Sequence, residues 1–216
     1  MNRPNRLWYA FCQQILRVLL IVFFGLRVYH RRRVPSTGGV LVVANHQSYL
    51  DPILTQVGVR RRFDPMARES LFRFAPFRWL IRSLGAFPVR RASADLGAIR
   101  EAMRRLKAGR CVQMFPEGTR TRDGTIGHLA AGPATIAARS RVPILPVVVD
   151  GAFEAWPRTR RFPRRHPVRV AYGEPIPAAE VASRPPEKTM AEVRRRMIEL
   201  QAELRVGAAP ARDDAP

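Results

Sequence analysis

The residues best suited to chemistry in this sequence are His46 and Asp51, which lie in the segment 45–51 (NHQSYLD). Histidine changes its charge near neutral pH, so His46 is a candidate general base. Residues five apart on a regular helix point about 140° apart, so the two side chains converge only if His46 precedes a helix and Asp51 lies in its first turn. Ser48 as the N-cap and Pro52 in the first turn allow this. An ordinary strand–helix junction with a structural histidine has the same spacing.

A second candidate segment, 115–121 (FPEGTRT), follows a short apolar run. Gly118 permits a close approach of the backbone to a ligand. Thr119 and Arg120 offer hydrogen-bond donors to an anion, and the planar fork of arginine suits a phosphate. Glu117 would hold an arginine or an acceptor hydroxyl. A polar turn with a surface salt bridge is the alternative interpretation.

Two further segments are weak signals on their own. The segment 85–91 (GAFPVRR) is a predicted strand that ends in two cations, Arg90 and Arg91. The segment 142–149 (VPILPVVV) indicates only a buried strand, which contains Pro143 and Pro146. The order of the four segments along the chain is far more specific than any one of them.

Together, these four segments resemble the motifs of the glycerolipid acyltransferase family, which includes the bacterial 1-acylglycerol-3-phosphate acyltransferases. The similarity covers about residues 38–152, with a looser match beyond. The resemblance implies that His46, assisted by Asp51, deprotonates an acceptor hydroxyl, which then attacks an acyl thioester on coenzyme A or acyl carrier protein. It also implies that no metal, no other cofactor and no acyl-enzyme takes part.

The resemblance assigns the remaining roles to residues of the other three motifs. The residues implied to bind the phosphate end of the acceptor are Arg91, Glu117, Gly118, Thr119 and Arg120. Pro143 and Pro146 are implied to lie against the acyl chain or to shape its tunnel. The expected reaction is therefore acylation of the sn-2 hydroxyl of 1-acyl-glycerol-3-phosphate, which yields phosphatidic acid.

Three departures from the family pattern leave the acceptor open. Arg68 stands where the family often has a lysine, and Arg90 replaces a common acidic residue. Ala130 stands where a lysine is usual. Glycerol-3-phosphate, another lysophospholipid or a lyso-aminolipid therefore remain alternative acceptors for the same chemistry.

Strand-like and helix-like segments alternate from residue 40 onward, which predicts an α/β fold with a mostly parallel central sheet flanked by helices. Helices are predicted at about 49–58, 74–84, 94–108, 131–140 and 190–205. Strands are predicted at about 40–44, 63–67, 86–90, 111–115, 144–149 and 168–172. The segments 35–206 would form the acyltransferase domain and 207–216 a flexible tail.

The N-terminal segment, 1–34, is predicted to be a membrane-interface helix with a basic flank. Residues 7–29 are apolar except near Arg17, and no uncharged run reaches the roughly 18 residues of a spanning helix. On a helical wheel the polar residues fall within roughly 80° of one another; these are Arg6, Gln13, Arg17 and Arg27. Such a helix lies in the interface with its apolar side in lipid. A helix packed on the protein's own core, or one that spans the membrane, remains an alternative.

The formal charge of +21 indicates an anionic partner. A nucleic-acid binder is the remote alternative, because the arginines form no recognition helix or aromatic-rich motif. The predicted partners are therefore a lysophospholipid, acyl-CoA or acyl carrier protein, and an anionic membrane surface, without specific nucleic acid. The predicted location is the cytoplasmic face of the inner membrane. The basic segment 157–169 is either solvated or membrane-facing.

The two cysteines, Cys12 and Cys111, lie in apolar runs far apart in sequence. They are interpreted as small hydrophobic residues, with neither a disulfide framework nor a metal-ligand cluster around them.

Overall fold

A seven-stranded β-sheet runs through the centre of the protein in the computed structural model, which describes residues 6–90 and 95–206. The strands are β1 (Arg27–Tyr29), β2 (Val40–Ala44), β3 (Phe63–Arg68), β4 (Phe87–Val89), β5 (Cys111–Met114), β6 (Ile144–Asp150) and β7 (Arg169–Tyr172). Their order is β1-β7-β6-β2-β5-β3-β4, and every neighbouring pair is parallel except β6 and β7. The predicted mostly parallel sheet is confirmed. The predicted tail, 207–216, lies outside the described residues.

Helices flank this sheet, as predicted. Those in the described residues are α1 (Arg6–Phe24), α2 (Asp51–Val57), α3 (Ala75–Ser83), α4 (Leu96–Lys107), α5 (Gly132–Ser140), α6 (Ala152–Ala155), α7 (Ala178–Ser183) and α8 (Pro186–Val206). Helices α2 to α5 and α8 lie close to the predicted ranges. The short α6 and α7 are absent from the prediction, because four to six residues show no helical period.

Strand β2 lies between two apolar layers. All five of its residues are fully buried, as expected for a parallel strand with helices on both faces. Leu41 packs in a cluster with residues of α4, α5, α7 and α8. Val42 packs on the other face, with residues of α1, α2 and α6. The strand that leads to His46 is therefore held from both sides.

The carboxyl ends of β2 to β6 lie at one edge of the sheet, because these five strands are mutually parallel. In open α/β sheets this edge is the usual place for a ligand. The segment 45–51 leaves β2 at this edge, and the segment 115–121 leaves the neighbouring strand β5. The topology alone therefore brings the two strongest candidate segments together.

Two helix boundaries differ from the prediction. The predicted apolar helix over 7–29 ends at Phe24, and Arg27, expected on its polar side, lies in β1 beside β7. Gly25 follows the helix with a φ of 52°, a left-handed conformation that commonly ends helices. Helix α8 begins at Pro186, before the expected start near 190, because proline suits the first helical position.

Helix α1 packs on α2 through the stripe predicted to be polar. The side-chain amide of Gln13 donates to the carbonyl oxygens of Gln56 (2.9 Å) and Val59 (2.7 Å). The hydroxyl of Tyr9 donates to Oε1 of Gln56 (2.9 Å), and Leu20 is buried on the same side. Much of the remaining helix surface is apolar and exposed; it includes Leu7, Phe11, Ile15, Val18, Leu19 and Val22.

The length and composition of α1 would also allow it to cross a membrane. The stretch Leu7–Phe24 has a mean hydropathy of 1.8, and 11% of it is buried inside the protein. The hydrogen bonds of Tyr9 and Gln13 to α2 favour a helix that lies on the domain. An apolar free face on such a helix is the arrangement that an interfacial helix requires.

Candidate active site

Asn45 and His46 directly follow strand β2 and so lie at the carboxyl edge of the sheet. The side chain of Asn45 pairs with the backbone of Val149 in β6, where its amide donates to the carbonyl oxygen (2.8 Å) and its oxygen accepts from the N–H (2.8 Å). This pair fixes the end of β2 to the end of β6. Asn45 was not predicted as a site residue, because an asparagine before a histidine gives no indication of a partner 104 residues away.

His46 and Asp51 are in contact, because His46 precedes helix α2 and Asp51 lies in its first turn. The Nδ1 of His46 lies 2.8 Å from Oδ2 of Asp51. The same oxygen accepts from the backbone N–H groups of Gln47 (2.6 Å) and Ser48 (2.7 Å). Asp51 is the first residue of α2, so it lies in the first turn, as predicted. The expected N-cap is wrong: Leu50 precedes the helix, and the Ser48 hydroxyl accepts from the N–H of Leu50 (3.3 Å).

Burial raises the pKa of Asp51, and the hydrogen bonds from His46 and from the two backbone amides oppose that rise. The side chain is completely buried. A buried carboxylate is stable only when donors surround it. The three donors to Oδ2 offset part of this cost, while Oδ1 is buried without a hydrogen-bond partner among the described residues. In this arrangement Asp51 can hold the Nδ1–H of His46 and leave Nε2 as the basic ring nitrogen.

The Glu117 carboxylate binds the main chain of His46. Its Oε1 accepts from the N–H of His46 (3.0 Å), and the N–H of Thr121 donates to the carbonyl oxygen of His46 (2.7 Å). The segment 115–121 therefore hydrogen-bonds to both backbone groups of His46, its N–H and its carbonyl oxygen. Burial raises the pKa of Glu117 to about 7. The ring of Phe115 stacks on the imidazole with centroids 4.4 Å apart, a contact that sequence reasoning missed.

Arg120, in the segment 115–121, lies against Tyr49 of the segment that contains His46 and Asp51. Its guanidinium stacks over the ring of Tyr49 at 3.5 Å, and Tyr49 in turn contacts the ring of Trp156 at 5.6 Å. The Nη1 of Arg120 is buried without a hydrogen-bond partner among the described residues. Such a group is costly unless an anion pairs with it. Its chemistry therefore suits the phosphate that the sequence analysis predicts.

Gly118 and Thr119 form the turn before Arg120. Gly118 has a φ of 69°, which a side chain would strain, and its N–H donates to the carbonyl oxygen of Phe115 (3.1 Å). Thr119 is exposed. The turn therefore presents its residues at the surface of the edge that holds His46.

Gln47 is a further residue that the sequence analysis missed. Its buried amide donates to the carbonyl oxygen of Gly124 (3.0 Å), and its oxygen accepts from the N–H of Phe153 (3.2 Å). It thus connects the loops after β2 and β5 with the start of α6. These hydrogen bonds hold the three segments together beside the His–Asp pair.

The second motif reaches the same edge only in part. Arg91 lies outside the described residues. Arg90 pairs with Glu69 (Nε to Oε2, 3.7 Å), and its N–H donates to the carboxylate of Asp95 (2.9 Å). These three residues line a cavity of about 240 Å³ between β4 and the start of α4.

Of the two prolines predicted for the acyl pocket, Pro146 lies within the sheet and Pro143 lies at its amino edge. Pro146 is buried in β6 beside Val43 of β2. Pro143 precedes β6 and accepts from the N–H of Leu41 (3.0 Å), at the edge opposite His46. A strand advances roughly 3.3 Å per residue, which places Pro143 roughly 20 Å from His46. Contact of either proline with an acyl chain stays a prediction.

The described residues hold no group of three or more His, Cys, Asp or Glu side chains that could bind a metal ion. Cys12 is half-buried and Cys111 is buried, and both are free thiols. Burial raises the pKa of Cys111 to about 12, which agrees with its interpretation as a small hydrophobic residue.

A His–Asp pair at the carboxyl edge of a mostly parallel sheet, with a cationic turn on the neighbouring loop, is suited to acid–base group transfer. The chain belongs to the acyltransferase family, whose model, described as Acyltransferase, matches residues 25–150. The family expectation from the sequence is confirmed.

Named relatives agree with this assignment. The chain is 28% identical to the 1-acyl-sn-glycerol-3-phosphate acyltransferase of Bacillus subtilis over 184 residues, which are 85% of this chain and 89% of that protein. It is 30% identical to a chloroplastic 1-acyl-sn-glycerol-3-phosphate acyltransferase of Brassica napus over 81% of this chain, and spans about half (52%) of that protein.

A solved structure has the same fold. The crystal structure of the 1-acyl-sn-glycerophosphate (LPA) acyltransferase from Thermotoga maritima superposes with a TM-score of 0.77 at 26% identity. The match covers 93% of this chain and 80% of that one.

Proposed function

We propose that this chain transfers a fatty acyl group from acyl-CoA or acyl-ACP to the sn-2 hydroxyl of 1-acyl-glycerol-3-phosphate and so forms phosphatidic acid. The observation that carries the proposal is the pairing of His46 with a fully buried Asp51 at the carboxyl edge of the sheet. The names of the relatives from Bacillus subtilis and Brassica napus support the same acceptor.

In the proposed reaction, His46 is the general base. Asp51 holds the proton on Nδ1, so Nε2 accepts the proton of the acceptor hydroxyl. The hydroxyl oxygen attacks the thioester carbonyl and forms a tetrahedral intermediate. That intermediate collapses to an ester and a thiolate, which takes the proton back from the imidazolium of His46. The protons balance, and no acyl-enzyme forms.

The phosphate of the acceptor would lie against the turn 118–120. Arg120 provides a guanidinium whose buried Nη1 has no protein partner among the described residues, and Thr119 provides an exposed hydroxyl. Arg91 is retained as a predicted second cation. When it is ionised, Glu117 carries a charge of the same sign as a phosphate, and its contact with the His46 N–H supports a positioning role. Direct binding of acceptor by Glu117 stays a prediction.

The acyl donor is a co-substrate, and the proposal requires no metal or other cofactor. The chain would act at the cytoplasmic face of the inner membrane, attached through α1. The exposed apolar face of α1 and the net charge of +21 support attachment to an anionic bilayer. Nucleic acid plays no part in the proposed function.

The acceptor is tested by comparing kcat/KM for lysophosphatidic acid, glycerol-3-phosphate and a neutral lysophospholipid, each with acyl-CoA and with acyl-ACP. We expect lysophosphatidic acid to be preferred at least tenfold. The variant Arg120→Lys tests whether the Arg120 guanidinium binds the phosphate. Arg122→Lys is its matched control, because Arg122 is the exposed neighbour. Equal use of the neutral lysophospholipid would assign the same chemistry to a different acceptor.

A further inference from the structure

Helix α3 presents an unusual surface to solvent. None of its nine residues is buried. Phe74, at its N-cap, and Trp79 are 69% and 63% exposed, and Leu71 and Phe77 are also exposed. We call these four side chains the α3 aromatic surface. Four large apolar side chains clustered on one short segment are more than a soluble surface usually carries without a partner.

Arginines are interleaved with the α3 aromatic surface. Arg73, Arg78 and Arg82 are all exposed, and no Asp or Glu occurs between Glu69 and Asp95. A short helix with aromatic residues and arginines in alternation is typical of segments that lie in the headgroup region of a bilayer. The aromatic rings enter the acyl boundary while the guanidinium groups remain among the phosphates.

The α3 aromatic surface is continuous with the free face of α1. The ring of Trp8 on α1 lies 5.8 Å from the ring of Trp79, and its indole N–H donates to the hydroxyl of Ser83 at the end of α3 (3.2 Å). On a helical wheel, Trp8 lies in a stripe roughly 80° wide that contains Phe11, Ile15, Leu19 and Val22. This stripe turns toward α3, and its four other members are exposed.

We propose that α3 is a second membrane-inserting element, which forms one lipid-binding surface with α1 on an anionic bilayer. Because α3 follows the carboxyl end of β3, its first residues lie at the edge of the sheet that holds His46. Two contacts with the bilayer fix the tilt of a domain that one helix would leave free to rotate. The acceptor lipid can then reach His46 without leaving the bilayer surface.

The charges favour lipid over a second copy of this chain as the occupant. A symmetric dimer through this surface would place the same arginines opposite each other. An anionic headgroup layer instead neutralises Arg73, Arg78 and Arg82. The proposal rests on the membrane attachment in the proposed function, but not on the acyl-transfer reaction.

The test is partition of the full chain onto vesicles of equal parts phosphatidylcholine and phosphatidylglycerol, measured by sedimentation. The variant Phe74→Ser/Trp79→Ser keeps α1 intact, and Ile198→Ser/Val206→Ser is the matched control, because these exposed residues lie on α8 across the sheet. We expect the first variant to lose roughly tenfold or more in partition, since one large side chain withdrawn from water contributes about that factor. The control should partition like the wild type.

A second measurement reports insertion directly. With Trp8→Phe and Trp156→Phe, Trp79 is the only tryptophan, and we expect its emission to shift to the blue and to be quenched by brominated lipid. Continued quenching by aqueous iodide would overturn the proposal. So would unchanged partition of Phe74→Ser/Trp79→Ser, or loss of a dimer as that variant's only effect.

The His46→Ala protein separates this proposal from the proposed function. It should partition like the wild type, because its membrane surface is intact. If it and the wild type both fail to bind vesicles, both the α3 surface and the membrane attachment are wrong. If the Phe74→Ser/Trp79→Ser protein binds vesicles as well as the wild type does, the α3 proposal is wrong and the acyl-transfer proposal is unaffected.

Discussion

At the scale of single residues, Asp51 carries the most consequence, because three donors converge on one of its oxygens. Two of the donors are backbone amides of the loop that bears His46. The carboxylate therefore both shapes that loop and orients the imidazole. A positioning residue of this kind acts through the histidine and does not touch the substrate.

We predict that Asp51→Asn lowers kcat by roughly 10²–10⁴ with little change in KM, because the amide group of asparagine favours the wrong tautomer of His46. Steady-state kinetics measures the split between the two constants. Asp64→Asn is the matched control: Asp64 is equally buried, but it pairs with Arg105 (3.2 Å) and Arg110 (2.6 Å) near the amino end of the sheet. The control should lose stability and keep kcat; equal losses of kcat in both variants would contradict the account.

Glu117 makes a prediction about pH. Its pKa is about 7 in the folded protein and 4.5 without the protein environment, so the folded chain binds a proton that the unfolded chain has released between these values. The stability it contributes is therefore fully present below the unfolded pKa and is lost as pH rises through about 7.

We expect Glu117→Gln to remove this dependence. Between pH 5 and pH 8, the free energy of unfolding of the wild type should fall by on the order of 1 kcal/mol more than that of the variant, allowing for solvent screening of the partly exposed carboxyl. Urea denaturation at several pH values measures the difference. Parallel curves for the two proteins would show that Glu117 is ionised throughout this range.

At the scale of elements, the site depends on strands β2 and β6 ending in register. Asn45 provides that connection through two hydrogen bonds to Val149, and both groups are buried. Without the side chain, the N–H and carbonyl of Val149 lose these partners. The position of His46, one residue further on, would then be less well defined.

We predict that Asn45→Ala destabilises the fold by about 1–3 kcal/mol, which is the usual penalty for a buried polar group without a partner. Urea denaturation followed by circular dichroism measures this. Asn45→Asp keeps the acceptor for the Val149 N–H but sets a carboxylate against the carbonyl oxygen, so it should be at least as harmful. A variant as stable as the wild type would mean that water replaces the side chain without loss.

The same elements show what a sequence can reveal. The apolar runs of β2 and β6 and the long pattern of α8 are local, and so they were predictable. Helix geometry stated the condition for His46 and Asp51 to converge, namely a histidine before the helix and an aspartate in its first turn. The order of the four motifs made that arrangement the expected one. The contacts of Asn45 and Gln47 were not predictable, because their partners are 104 and 77 residues away. Strand β1 was not predicted, because its three residues directly follow a long apolar helix and are too few to show an alternating pattern.

At the scale of the whole molecule, the net charge and the exposed apolar surface are suited to a lipid acceptor in a bilayer, while the thioester donor comes from water. In the proposed function, the large positive charge would attract an anionic bilayer from a distance, and the free faces of α1 and α3 would hold it at close range. The His–Asp pair lies at the edge of the sheet where α3 begins. A water-soluble thioester and a lipid acceptor can thus meet at one site.

The central claim is that His46 performs the acylation of lysophosphatidic acid. The most direct measurement is mass-spectrometric detection of phosphatidic acid formed by the purified wild type and by His46→Ala, with lysophosphatidic acid and either acyl-CoA or acyl-ACP in detergent micelles. We predict that the wild type forms phosphatidic acid and that the variant is slower by roughly 10²–10⁴, the usual contribution of a general base. Full activity of His46→Ala, or no product from the wild type with either donor, would contradict the account.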